Sequence, residues 1–136
     1  MIIILVEDNI VNQTMMKQIL ANNFKNSIVK VIGDGETAIA FFNGNLHYDL
    51  IILDGNLGSK TTNGPEVAQA IVNAGINTPV ALWTDDKATR EKMEKVFGHE
   101  LPCIEKAPLN KNNIISVVKN ILELASEPIT QRRQTY

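Results

Sequence analysis

Five residues of types suited to phosphoryl chemistry stand where apolar runs end. Ile2-Ile3-Ile4-Leu5-Val6 runs into Glu7-Asp8, and Leu50-Ile51-Ile52-Leu53 into Asp54. Val80-Ala81-Leu82-Trp83 ends in Thr84, and the segment 101–105 ends in Lys106. Short, uniformly apolar runs read as strands buried on both faces, and open α/β sheets bind and react beyond the carboxyl ends of such strands. On one rim, carboxylates ~4 Å apart would repel by about 4 kcal/mol at an effective dielectric of 20. A cation, or a proton on one member, must relieve that cluster. Mg²⁺ suits it, because this ion takes oxygen ligands, accepts a few carboxylates and keeps waters for phosphate oxygens. Asp8 and Asp54 could ligate directly, Glu7 through a water, and Asn56 through its backbone carbonyl. An aspartate beside such an ion can attack phosphorus. The Lys106 ammonium and the Thr84 hydroxyl could then stabilise charge on the phosphoryl oxygens.

The elements that must position these residues alternate along the chain. Residues 1–6 form the first strand, and Asn9 caps a helix to about Phe24 with Val11, Met15, Ile19 and Leu20 as its apolar stripe. Ile28–Ile32 alternates apolar and polar, as an edge strand does, and Gly33-Asp34-Gly35 is the turn after it. A helix over 36–43 ends at Gly44, and strand three covers 49–53. Gly55 to Asn63 is a polar, flexible loop. Pro65 opens a helix to about Asn73, closed by Gly75, before strand four at 80–83. The charged segment Lys87–Phe97 predicts an exposed, loosely held helix. Strand five spans about 101–105 and the last helix 111–125, with Ile114, Val117, Val118, Ile121 and Leu122 on its apolar face. Residues 126–136 read as a flexible tail. Five strands alternating with five helices predict an α/β fold, a doubly wound parallel sheet with helices on both faces.

Bulk properties bound the function classes. A chain of 136 residues and 15.0 kDa predicts one domain, assigned to residues 1–125. The single cysteine, Cys103, can form no internal disulfide and fits a reducing cytoplasm. A net charge of −2 argues against an electrostatically driven nucleic-acid surface. No apolar run approaches the ~20 residues that span a bilayer, so no membrane partner is expected. The first residues lack the basic leader of a signal peptide.

The chain strongly resembles the receiver domain of bacterial two-component response regulators from Ile2 to about Leu124. Val6-Glu7-Asp8-Asn9, Leu53-Asp54, Asn63-Gly64, Thr84 and Lys106 carry the resemblance, with 30 residues from Asp54 to Thr84 and 52 from Asp54 to Lys106. It implies a flavodoxin-like (βα)5 sheet of order 2-1-3-4-5. It implies that Asp54 is the phosphoacceptor, with a sensor histidine kinase or a histidine phosphotransfer protein as donor. Mg²⁺ would be the cofactor, held by Glu7, Asp8, Asp54 and the Asn56 carbonyl. Such a chain catalyses at most its own phosphorylation and dephosphorylation. Because few residues follow the last helix, a stand-alone receiver is expected. It would signal through contacts with a downstream protein target, as a monomer or weak dimer. Ile115 and Leu124 could seed that dimer, although padding of the core edge is the simpler role for them. Arg132-Arg133 could contact an acidic partner, but reads better as part of a solvated tail.

Four departures from the family pattern stand out. Leu57-Gly58 replaces the usual methionine-proline pair, in a loop two residues longer than usual and so expected to be more mobile. Asp85 follows Thr84 where a small residue is common. At ~7 Å its charge would repel a phosphoryl group by about 2 kcal/mol, which predicts slower phosphorylation than in Asp85→Ala unless the side chain points to solvent. Cys103 stands where the family places its switch aromatic, three residues before the lysine, and reads as a small buried residue. The proline that usually follows the lysine, and normally holds a cis bond, is displaced to Pro108. A cis Lys106-Ala107 bond would cost ~2.5–4 kcal/mol.

Alternatives remain from other classes. A phosphohydrolase of the haloacid dehalogenase type would want a second aspartate two positions after the nucleophile, where Asn56 stands. A flavodoxin-like nucleotide or flavin carrier would want a phosphate-cradling loop, where Glu7-Asp8 stands. A degenerate receiver would act only as a protein-binding module.

Overall fold

The computed structural model describes residues 1–44 and 46–126. Ten elements alternate: β1 (Ile2–Val6), α1 (Ile10–Asn23), β2 (Ile28–Ile32), α2 (Gly35–Phe42), β3 (Leu50–Asp54), α3 (Gly64–Asn73), β4 (Val80–Trp83), α4 (Lys87–Phe97), β5 (Cys103–Ile104) and α5 (Lys111–Ser126). The five strands form one parallel sheet of order β2-β1-β3-β4-β5. The expected doubly wound architecture is therefore present, and β1 and β3 are its buried centre. Every residue of β3 is buried, as a strand covered on both faces requires.

Alternation along the strands divides the core in two. Ile4, Val6, Ile51, Leu53 and Leu82 face one side with Phe42, Val67, Ile71 and Met93. Ile3, Leu5, Leu50, Ile52 and Trp83 face the other with Met16, Leu20, Ile114 and Val118. The register pairs Val6 with Leu53 and Asp54 with Trp83. Strand ends thus coincide, and the residues after β1, β3, β4 and β5 emerge on one rim.

Helix α1 departs from the expected stripe. Met16 and Leu20 are buried, whereas Val11 is 64 % exposed and Met15 borders solvent. The helix is turned so that Asn12 and Gln13 face the rim. Asn12 Nδ2 donates to Glu7 Oε1 at 2.8 Å and Gln13 Nε2 to the Glu7 carbonyl at 2.6 Å. Two polar side chains take the inward first turn because the end of β1 needs donors, and the apolar face begins only at Met16.

Strand β5 is shorter than expected. Pro102 has no N–H to give a ladder, and the Leu101 amide goes instead to Glu94 Oε2 at 2.7 Å. Beyond Ile104, the Lys106 and Ala107 amides bond to the Asp85 carboxylate. Helix α4 is more firmly seated than its charge suggests. Asp86 caps it through the amides of Ala88 and Thr89, Gly98 closes it in the left-handed region, and Met93 is wholly buried.

In α5, Ile114, Val118 and Ile121 are buried, and Leu124 is exposed. Arg132-Arg133 and all of the expected tail except Ser126 lie outside the described residues. Among the described residues, no helix is long and apolar enough to cross a membrane.

Candidate functional site

Glu7, Asp8, Asp54, Asn56, Thr84 and Lys106 all line one open depression of about 410 Å³ at the carboxyl rim of the sheet, together with Asn12, Gly58 and Asp85. All six residues singled out in the sequence are therefore brought together. Carboxylate oxygens of Glu7, Asp8 and Asp54 lie within 4.8 Å of one another. Glu7 and Asp54 are buried, and Asp8 is exposed.

Lys106 answers the two buried acids. Its Nζ lies 2.9 and 3.1 Å from the Glu7 carboxylate oxygens and 3.0 Å from Asp54 Oδ2. The same ammonium sits 4.9 Å from the centroid of the Trp83 ring, within cation–π range. Burial works against the Lys106 charge, but the Glu7 hydrogen bonds and the neighbouring Asp54 more than offset it and raise its pKa. The cis peptide of this region is Ala107-Pro108 rather than Lys106-Ala107. Lys106 is aimed at the acids.

Asp54 is the unbalanced group. Burial above all, and then the adjoining Glu7, push its carboxyl up to about 8, while Lys106 and the Asn56 amide pull the other way. The Asn56 amide donates to Asp54 Oδ1 at 3.2 Å. Oδ2 lies 3.0 Å from the Lys106 ammonium, an ion pair. Three converging carboxylates against a single ammonium fit a hard divalent cation. Glu7 Oε1 already accepts from Asn12 and Lys106 and Oε2 from Lys106, so the Asp8 and Asp54 oxygens are the freer donors.

The loop over 55–63 forms a wall of the site. Its extra length is knitted internally: Asn63 Oδ1 accepts from the Leu57 and Ser59 amides, and Ser59 Oγ from the Thr61 and Thr62 amides. Leu57 is buried in the core. The structure thus shows a hydrogen-bonded turn where mobility was expected. Gly58 has φ +70°, and a Cβ there would lie 2.9 Å from Asp8 Oδ2. Gly64 lets α3 approach the end of β3, since a Cβ would meet the Asp54 carbonyl at 2.6 Å. Gly58→Ala is therefore expected to push Asp8 aside and to weaken any binding of a divalent cation by the three acids about tenfold, equivalent to about 1.4 kcal/mol. Calorimetric titration checks this; unchanged affinity would show that Gly58 does not bear on the ion.

The Thr84 hydroxyl accepts from the Asp86 amide at 3.1 Å, which leaves its proton free to point into the depression. Cys103 Sγ donates to the Thr84 carbonyl at 3.5 Å, and burial raises the thiol pKa. The small residue in the aromatic's place thus packs on the backbone of Thr84, but it is half-buried rather than buried as expected.

Sequence reasoning named Asn63 only as part of the resemblance, not as the residue that ties the 55–63 loop, and it missed Asn12, Gln13 and the Lys106–Trp83 contact, which depend on how α1 and β4 are turned.

The sequence profile of the response regulator receiver domain matches residues 3–119. The N-terminal domain of a response regulator/sensory box/GGDEF three-domain protein from Carboxydothermus hydrogenoformans is 25 % identical, with a TM-score of 0.76 over 92 % of this chain and 96 % of that one. A response regulator receiver protein from Pseudoalteromonas atlantica shares the fold at 18 % identity and a TM-score of 0.73, over 93 % and 100 % of the two chains. The receiver domain of NtrX from Brucella abortus does so at 20 % identity and 0.74, over 89 % and 98 %. No curated protein matches the sequence. With the profile spanning most of its length and the acids gathered at the strand ends, the chain belongs to the response regulator receiver domain family.

Proposed function

We propose that this receiver accepts a phosphoryl group on Asp54, in a reaction that depends on Mg²⁺, from a phosphohistidine of a sensor kinase or phosphotransfer protein. The observation that carries the reading is the buried Asp54 carboxyl at the end of β3, flanked by two further carboxylates and ion-paired to one ammonium. Glu7, Asp8, Asp54 and the Asn56 carbonyl would hold the ion. When bound, it would supply positive charge to the phosphoryl oxygens and favour the ionised form of Asp54.

The remaining work falls to the side chains. An ionised Asp54 oxygen attacks phosphorus, the P–N bond of the phosphohistidine breaks, and its electron pair stays on the imidazole, which departs neutral because its other ring nitrogen already carries a proton. The Lys106 ammonium and the Thr84 hydroxyl donate to the equatorial oxygens as charge spreads over them. Glu7, held by Lys106 and Asn12, keeps the ammonium beside Asp54. Output then runs through protein contacts, in the cytoplasm where kinase domains of this system act. Residues 1–125 form the receiver unit.

Intact-mass analysis of the full chain with Mg²⁺ and acetyl phosphate, for wild type and Asp54→Asn, tests the reading. One hydroxylamine-labile phosphoryl group, absent from the variant, is expected. Phosphate release over many turnovers would point to a hydrolase. No uptake from any donor would leave a protein-binding module.

A further inference from the structure

Asp85 carries a geometry that its position in the sequence does not announce. The β4–β5 ladder ends at the pair Trp83 and Ile104. Past that pair, Asp85 Oδ1 accepts from the Lys106 amide at 2.7 Å and Oδ2 from the Ala107 amide at 2.8 Å. One carboxylate thus takes two consecutive amides across 21 and 22 residues of sequence. Its charge is directed onto peptide N–H groups, where charge-assisted bonds are roughly twice as strong as neutral ones.

We infer that Asp85 is a positioning residue for Lys106: it clamps the β5–α5 connection and so sets the reach of the ammonium to Asp54 and Glu7. This rests on the phosphoacceptor role proposed above. The clamp also ties Lys106 to Thr84. Thr84 is fixed by the Asp86 amide and the Cys103 thiol, and Asp85 is its neighbour in the chain. The two groups that address the phosphoryl oxygens are therefore geared together. In a chain whose usual switch position holds Cys103, this gearing supplies a direct connection between the site and the β5–α5 connection.

The consequence reverses the effect expected from charge repulsion alone. Removing the carboxylate frees the Lys106 backbone, and a misplacement on the order of 1 Å at a reacting centre costs up to ~100-fold in rate. Asp85→Ala is expected to take phosphoryl from acetyl phosphate about tenfold more slowly than wild type, a change of about 1.4 kcal/mol in barrier. Asp85→Asn, which keeps the shape but offers one acceptor and one donor, falls between them. Mg²⁺ affinity by calorimetry changes less than the rate does, because the three clustered acids keep their own positions; a general loss of structure would abolish both. Amide exchange at Lys106 and Ala107 speeds up about tenfold, as loss of a protecting bond requires.

An Asp85→Ala rate equal to or above wild type overturns the inference in favour of repulsion, and unchanged exchange at both amides overturns it outright. Should wild type itself take up no phosphoryl group, the phosphoacceptor reading fails. Amide exchange then decides the clamp alone, with faster exchange supporting it and unchanged exchange refuting it.

Discussion

Lys106→Met is expected to cut phosphoryl uptake by about 100-fold or more and to destabilise the protein by about 3 kcal/mol. The first figure is the usual cost of removing one preorganised donor from a site of charge development. The second follows from the burial of Glu7, which is 0 % exposed and receives the ammonium on both oxygens. Removing one partner of a buried ion pair leaves an uncompensated charge, at about 3–5 kcal/mol; the lower end applies because Asn12 still donates to Glu7. The two effects separate in a double variant. Lys106→Met with Glu7→Gln should recover most of the stability, since no lone charge remains, and none of the rate. Urea unfolding and intact-mass time courses read the two quantities. A double variant that regains phosphorylation would show that Lys106 acts only as a structural counter-charge.

Asp54→Asn is expected to stabilise the ion-free protein, and to do so increasingly as pH rises from 5.5 to 8. The sign follows from the raised pKa. The folded carboxyl titrates at about 8, whereas in the unfolded chain it titrates near ~3.9. Between those values the folded state holds a proton that the unfolded state has lost. This group's contribution is thus most favourable below the unfolded pKa, and declines as pH rises toward the folded one. Asparagine does not titrate and removes the slope. The limit is about 1.36 kcal/mol per pH unit, and the slope fades only as pH nears the folded value, so an extra advantage of about 3 kcal/mol at pH 8 over pH 5.5 is expected. Urea midpoints in a chelator at both values measure it, and parallel pH curves for the two proteins would contradict the assignment. Mg²⁺ should narrow the gap at pH 8, because an ion that binds only folded wild type adds stability by mass action.

Much of this was legible because strands and helices obey different periods. β1, β3 and β4 are uniformly apolar and run into candidate site residues, so both their burial and their rim could be read from the chain. The candidate site was legible for the same reason, since its five positions each end or follow a strand. The rest depended on tertiary choices. α1 carries apolar residues at 10, 11, 15, 16, 19 and 20, enough for two alternative stripes. The demand of Glu7 for donors from Asn12 and Gln13 selects the face. Asp85 could be placed near the phosphoryl position by sequence, but its amide partners lie across the sheet, beyond any local pattern. The loop at 55–63 read as flexible from composition. Its order comes from Asn63 and Ser59, polar residues that serve turns as readily as solvent.

The central claim is that a phosphoryl group arrives at one carboxyl, that of Asp54. Borohydride reduction of the reacted protein, followed by peptide mass spectrometry, identifies the modified residue because an aspartyl phosphate is converted to homoserine. Homoserine at position 54 alone, dependent on Mg²⁺, is the predicted result. Conversion at another residue, or a stable phosphate on His47 or His99 with Asp54 intact, would contradict it.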